Sequence, residues 1–295
     1  MEKEQFFKHK FLPVTTIVLA ILLLWYVFAV ILNAPFQRDL DRRGNVTPTT
    51  MEFIGKTLAQ PKPTLPAPHQ VAQNVFENTF LRAPTSNRSL VYNAWVTLSS
   101  TAVGFAFGTV LGILIAVGIV HVVALDRSLM PWIIASQTVP ILAIAPMVIV
   151  VLAAVDITGL IPKALISTYL SFFPVAVGMV KGLRSPEVMH LDLMRTYNAS
   201  AAQTFWKLRV PASIPFLFTS MKVAIAASLV GAIVGELPTG AVAGIGAKLL
   251  AGSYYSQTID MWAALVAGSV LAAILVAIVS VVARIVDRAM GGRTA

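Results

Sequence analysis

Apolar residues gather into six long runs, at about 14–32, 95–120, 131–155, 160–180, 212–235 and 261–283. A membrane-crossing helix needs roughly 20 such residues, so each run predicts one span. The first (VTTIVLAILLLWYVFAVIL) exceeds the roughly 7–15 apolar residues of a secretory signal core, and no small-x-small cleavage pattern follows it. It reads as a retained helix.

Between the first two runs, residues 33–94 are polar. "KPTLPAPHQ" predicts extended chain, because each proline biases its predecessor away from helix. "HQVAQNVFENTFL" then predicts a short amphipathic helix with Val71, Val75, Phe76 and Phe80 on one face. That face suits the membrane surface or a soluble partner. In the second run Gly104, Gly108 and Gly112 form a doubled GxxxG ladder, the spacing at which two helix backbones pack closely in lipid.

Residues 184–211 interrupt the apolar pattern with charge yet keep helical periodicity. Leu191, Met194 and Tyr197 share a face, and Asn198 tolerates the left-handed backbone that ends a helix. Ser200 and Gln203 have capping-box spacing, the mark of a new helix. Ala202, Phe205 and Leu208 stripe this second helix before Pro211 opens the next span. The expectation is two short helices joined by a turn, lying across one membrane face.

Composition agrees with the pattern: 57% hydrophobic and 12% charged residues, with a mean hydropathy of +0.79, exclude a water-soluble globule. The fold class is an all-α polytopic membrane protein of about six transmembrane helices. The +9 charge comes without a basic run interleaved with aromatics, which argues against nucleic acid. With the N-terminus inside, 13 of the 22 basic residues fall in inside segments, and Lys163 and Lys248 are left in the short outside loops. This expectation puts both termini and residues 184–211 in the cytoplasm. The organisation expected is a tail and first helix at 1–32, a periplasmic segment at 33–94, a core at 95–285 and a tail at 286–295.

The stretch from Asp192 to Pro211 resembles the EAA loop of bacterial ATP-binding-cassette importer permeases. Asp192, Leu193 and Met194 stand at the E-A-A places, Asn198 at the glycine, and Leu208 to Pro211 complete the pattern. "FWKLRVPASIPFLFTSMKVA", "LPAPHQV" and "GELPTGAVAGIGAKL" are similar to the sulfonate, taurine and nitrate branch. Aspartate for glutamate shortens the acid, while Leu and Met make the first helix bulkier.

The resemblance implies type I (MetI-like) permease architecture and a coupling loop carried by Asp192, Met194, Arg195, Asn198, Ala199, Phe205, Leu208 and Pro211. It also implies a second permease copy forming a homodimer, a cytoplasmic ATPase dimer that holds ATP and magnesium, and a periplasmic binding protein. A small sulfonate, nitrate or bicarbonate is the solute expected, or a pyrimidine-type vitamin precursor.

No cofactor is expected in the chain itself. "GAVAGIGAK" lacks the Gly-Lys-Ser/Thr ending of a phosphate loop, so its glycines suit an outside re-entrant turn. With no cysteine and four scattered histidines, neither a zinc site nor a nucleophile-histidine pair assembles. Candidates for a solute path are polar residues inside spans, each costly in lipid: Ser136, Gln137 and Thr138 before Pro140, and Ser167, Thr168, Tyr169 and Ser171 in the fourth span. Glu236 closes the fifth span as either a wet interfacial carboxylate or a gate. Asp156 reads as a helix-end charge. A self-contained, gradient-driven transporter is the alternative, and it lacks a carboxylate deep within a span.

Overall fold

A computed structural model describes residues 12–238 and 241–291. Its described residues form helices and connecting turns: α1 (Leu12–Arg43), α2 (Thr50–Leu58), α3 (Pro68–Phe76), α4 (Leu90–His121), α5 (Val123–Ser136), α6 (Ile141–Ala153), α7 (Leu160–Leu183), α8 (Val188–Thr196), α9 (Ala201–Thr204), α10 (Val210–Glu236), α11 (Ile245–Tyr254) and α12 (Thr258–Ala289). Five helices are long and apolar enough to cross a membrane, or six if the bent pair α5–α6 counts as one span. The chain divides into two compact units, Met1–Val91 with Lys248–Ala267, and Tyr92–Ala247 with Gly268–Ala295.

In the first unit, α1 runs eleven residues past the predicted end at residue 32, through Pro35. The extension is held by polar groups rather than apolar ones. The Asn33 amide donates to the Leu65 and Thr57 carbonyls at 2.9 and 3.3 Å, and its oxygen accepts the Leu65 N–H. Gln60 donates to Gln37, Gln37 donates to Asp41, and Lys56 pairs with Asp41 at 3.2 Å. Buried polar groups that are hydrogen-bonded in this way specify one arrangement.

The amphipathic stretch is helical from Pro68, a residue of the run expected to be extended, and Gln70 accepts the Ala67 N–H. The four apolar residues expected on one face do not share one environment. Val71 and Asn78 are buried, while the Phe76 and Phe80 rings are exposed and meet at a tilt of 42°, their centroids 5.2 Å apart. A wide turn over Glu77–Leu81 rotates the face and brings Asn78 onto Asn74, which in turn bonds Asp260.

The second unit is built on α7. On one side lies the glycine ladder of α4: a β-carbon on Gly112 would meet the Phe172 carbonyl oxygen at 2.7 Å and Val175 at 2.9 Å. On the other side Gly231 and Gly235 of α10 come equally close to Ser167 and Lys163, and Gly182 of α7 to Ser213. Glycine permits backbone contact on both flanks of one helix. An apolar cluster of Ala116, Ile119, Ile133, Met179, Val180 and Leu183 fills the end towards α8.

The third predicted span is not a single rod. α5 and α6 meet at 99° across residues 137–140. Pro140 has no N–H to continue the ladder and disfavours helix at Val139. The Ser136 hydroxyl donates to the Ile133 carbonyl at 2.7 Å, and the Thr138 hydroxyl and N–H both donate to the Ala135 carbonyl, at 2.8 and 3.0 Å.

Candidate functional site: the elbow and the clamp

α8 ends in a Schellman turn. Asn198 sits at φ +53°, with its N–H on the Arg195 carbonyl and the Ala199 N–H on Met194, both at 2.9 Å. Ser200 then caps α9: its hydroxyl accepts the Gln203 N–H at 3.2 Å while the Gln203 side chain accepts the Ser200 N–H at 2.9 Å. The bend and its cap are the ones the sequence pattern describes.

The second arm differs. No separate short helix forms, because α9 continues through a wide turn over Phe205–Arg209 directly into α10. There the Val210 N–H reaches back five residues to the Phe205 carbonyl. The wider pitch makes room for the Pro211 ring, which would otherwise clash with the carbonyl four residues before it. Pro211 therefore stands within a continuous helix, its side chain exposed.

Side chains of the elbow sort into two sets. Leu191, Met194, Ala199, Phe205 and Leu208 are partly buried against their own chain. Phe205 stacks edge-on against His121 at 4.9 Å and packs on the apolar cluster, so it anchors the elbow to the bundle. Asp192 and Arg195 pair with each other on the surface at 3.2 Å. Tyr197 leaves the face expected of it and is 78% exposed, as are Met189 (77%) and Trp206 (68%). Trp206 escaped the periodicity argument because it follows the inward-facing Phe205. Two arginines fix the base: Arg184 pairs with Asp126 at 2.9 Å, and Arg209 reaches the Leu183 carbonyl. A hollow of about 380 Å³ lies under the elbow, between Leu191, Arg195, Phe205 and Arg209 and the end of α4.

The predicted path residues do not converge. Ser167 and Ser171 are fully buried in helix contacts, Ser167 bonded to the Ser228 carbonyl and hydroxyl, Ser171 to the Gly104 carbonyl. Thr168 bonds Ala164 and Gly104. Tyr169 donates to the Ser136 carbonyl at 2.6 Å, tying α7 to the α5–α6 corner, where Ser136 is partly buried and Gln137 and Thr138 are exposed.

Glu236 is not a wet interfacial group. It is 0% exposed, and its carboxylate accepts the Thr97 hydroxyl at 3.0 Å and the Gly246 N–H at 2.9 Å. Thr97 also accepts the Ile245 N–H, and Asn93 accepts that of Gly244, at 2.9 and 2.8 Å. Three successive amides at the start of α11 are thus clamped by α4 and α10. Gly244 stands at φ +128°, and a β-carbon on it or on Gly246 would collide with Glu236. The glutamate eight residues before a Gly-x-Gly is the local signal for this contact, while its partners on α4 are distant in sequence.

Residues 108–292, which include the elbow and most of the second unit, match the model of the binding-protein-dependent transport system inner membrane component. The chain belongs to this family. It is a type I ATP-binding-cassette importer permease of the nitrate and sulfonate branch, a multi-pass inner-membrane protein and not itself an enzyme.

Among its relatives is a formylaminopyrimidine transport permease protein of Halalkalibacterium halodurans, 30% identical over 186 residues, covering 63% of this chain and 69% of the relative. A nitrate import permease protein of Synechocystis is 25% identical over 186 residues, 62% and 66% of the two chains. An aliphatic sulfonates transport permease protein of Bacillus subtilis, described as putative, is 24% identical over 171 residues, 58% and 60%.

Proposed function

We propose that two copies of this permease enclose a path for a small anionic or zwitterionic solute, of the sulfonate, nitrate or bicarbonate kind. A binding protein delivers the solute from the periplasm. A separate ATPase dimer, which holds ATP and magnesium, grips the elbow from the cytoplasm. Closure of that dimer swings the elbows together, and the continuous α9–α10 helix carries the motion along its length as a rigid-body change of access. The carrying observation is the exposed set Met189, Tyr197 and Trp206 on an elbow whose inner face is already anchored by Phe205. Large apolar side chains at such a place call for a partner.

The test is affinity purification from gently solubilised membranes with an ATPase assay. The permease should bring down a phosphate-loop ATPase. Trp206→Glu and Met189→Glu should cut the retained activity by about tenfold or more while the permease melts as before. Undiminished retention in both variants removes the elbow assignment. Uptake that survives ATP depletion but collapses with an uncoupler removes the ATP-driven reading altogether.

A further inference from the structure

At the Glu236 end of the second unit a cavity of about 520 Å³ opens between α4, the end of α6, the first turn of α7 and residues Pro238, Ala241, Val242 and Ala243. That size is typical of small-molecule sites. Its wall is mostly apolar, with Val96, Ile149, Ala153 and Pro162 among the lining residues, and Tyr92 and Thr158 supply hydroxyls. Lys163 is the only formally charged residue of the described lining. Asp156, in the adjoining turn, stands outside it.

Lys163 lacks a counterion at contact distance. Among the described residues no carboxylate lies within 4 Å of its ammonium. Glu236 attracts it at longer range, but that carboxylate is buried and engaged by Thr97 and Gly246. The lysine also sits in the first turn of α7, where the helix dipole has its own sign. Its backbone is pinned by close packing against Gly235, whose β-carbon would meet the Lys163 α-carbon at 3.1 Å. A partly desolvated cation held on an apolar wall favours an anionic guest.

We propose that this cavity is a transit site for the anionic group of the passing solute, with Lys163 holding the charge and Tyr92 and Thr158 offering hydroxyl donors. The site rests on the importer reading above and assigns Lys163 to the oxyanion that a nitrate, sulfonate or bicarbonate type of solute carries. A phospholipid phosphate shares that chemistry, so the test separates the two sources.

The chain has no cysteine, so Ala153→Cys places a single thiol on the wall with Lys163 intact. Its reaction rates with sulfonatoethyl and trimethylammonioethyl methanethiosulfonate are compared with those of Met51→Cys, outside the lining. The anionic reagent should be preferred by about tenfold. Millimolar sodium methanesulfonate should slow it, Lys163→Arg should keep the preference and Lys163→Gln should abolish it, in maltoside micelles and phospholipid vesicles alike.

A preference seen in micelles but lost in vesicles would mean that headgroup phosphate fills the cavity, which overturns the solute site. Equal rates, or a preference that Lys163→Gln leaves standing, overturn it as well. Neither outcome touches ATP-dependent uptake, which tests the importer reading separately.

Discussion

Glu236 at the end of α10 accepts the backbone N–H of Gly246 at 2.9 Å, and neither residue leaves room for a larger partner. The contact joins a buried carboxylate to the first turn of a helix, where free amides and the dipole both favour negative charge. Glu236→Gln keeps an acceptor and should cost little. Glu236→Ala leaves a buried amide without its partner and opens a void, a loss of about 1–3 kcal/mol. Gly246→Ala, whose β-carbon would press on the Ile233 carbonyl and on Glu236, should be at least as damaging. Melting in detergent, followed by size-exclusion chromatography, ranks the three; equal midpoints for Gln and Ala would remove the clamp's role in stability.

Two glycine substitutions should act with opposite signs. On α4, Gly108→Ala drives a β-carbon into Ser171 and to 3.0 Å from the Phe172 nitrogen, which forces the α4–α7 contact apart. A fall of about 1–3 kcal/mol follows from overpacking. On α2, nothing lies within 4 Å of a β-carbon at Gly55. Alanine there removes backbone freedom from the unfolded chain and should stabilise by about 0.5–1 kcal/mol. Protease protection of the first unit reads the second change.

Asn198 at φ +53° ends α8 and aims α9. Asn198→Gly adopts that conformation freely and should retain most ATP-driven uptake. Asn198→Val costs about 1–2 kcal/mol at the turn and should leave ATP hydrolysis running without matching uptake. If valine and glycine performed alike in reconstituted vesicles, the bend would not be part of the lever.

Burial pushes the Lys248 ammonium below the usual lysine range, Asp260 opposing the shift and Arg82 adding to it. The folded chain then releases its proton at a lower pH than the unfolded chain does. Stability from this group is therefore at its lowest, and flat, below the folded pKa, and rises with pH up to the ordinary value near about 10.4. Lys248→Met should raise the melting point at neutral pH, with the advantage shrinking as pH climbs. A gain that stays constant from neutral to strongly alkaline pH would exclude the linkage.

Much of this chain was legible because its signals are local. Apolar runs longer than a bilayer, a left-handed asparagine and a Ser-x-x-Gln cap each involve residues within a few positions of one another, and the helices and the Asn198–Ser200 bend stand where those signals put them. The glycine ladder announced a close approach without naming the partner. The polar network of Asn33, Gln37 and Gln60, whose partners are distant in sequence, prolonged α1 past its predicted end, whereas the corner in the third span comes from local groups, Pro140 and the hydroxyls of Ser136 and Thr138.

The chain's own order of residues thus determined its class, its apolar helices and the elbow, since hydrophobic length, turn conformation and capping are properties of short stretches. Tertiary structure alone decided that Phe205 anchors while Trp206 is left free, that α7 is the helix both glycine rows press upon, and that Glu236 is buried. The reason is physical: burial and hydrogen-bond partnership depend on which helices meet, and Asn93, Thr97, Glu236 and Gly246 become neighbours only once α4, α10 and α11 are packed.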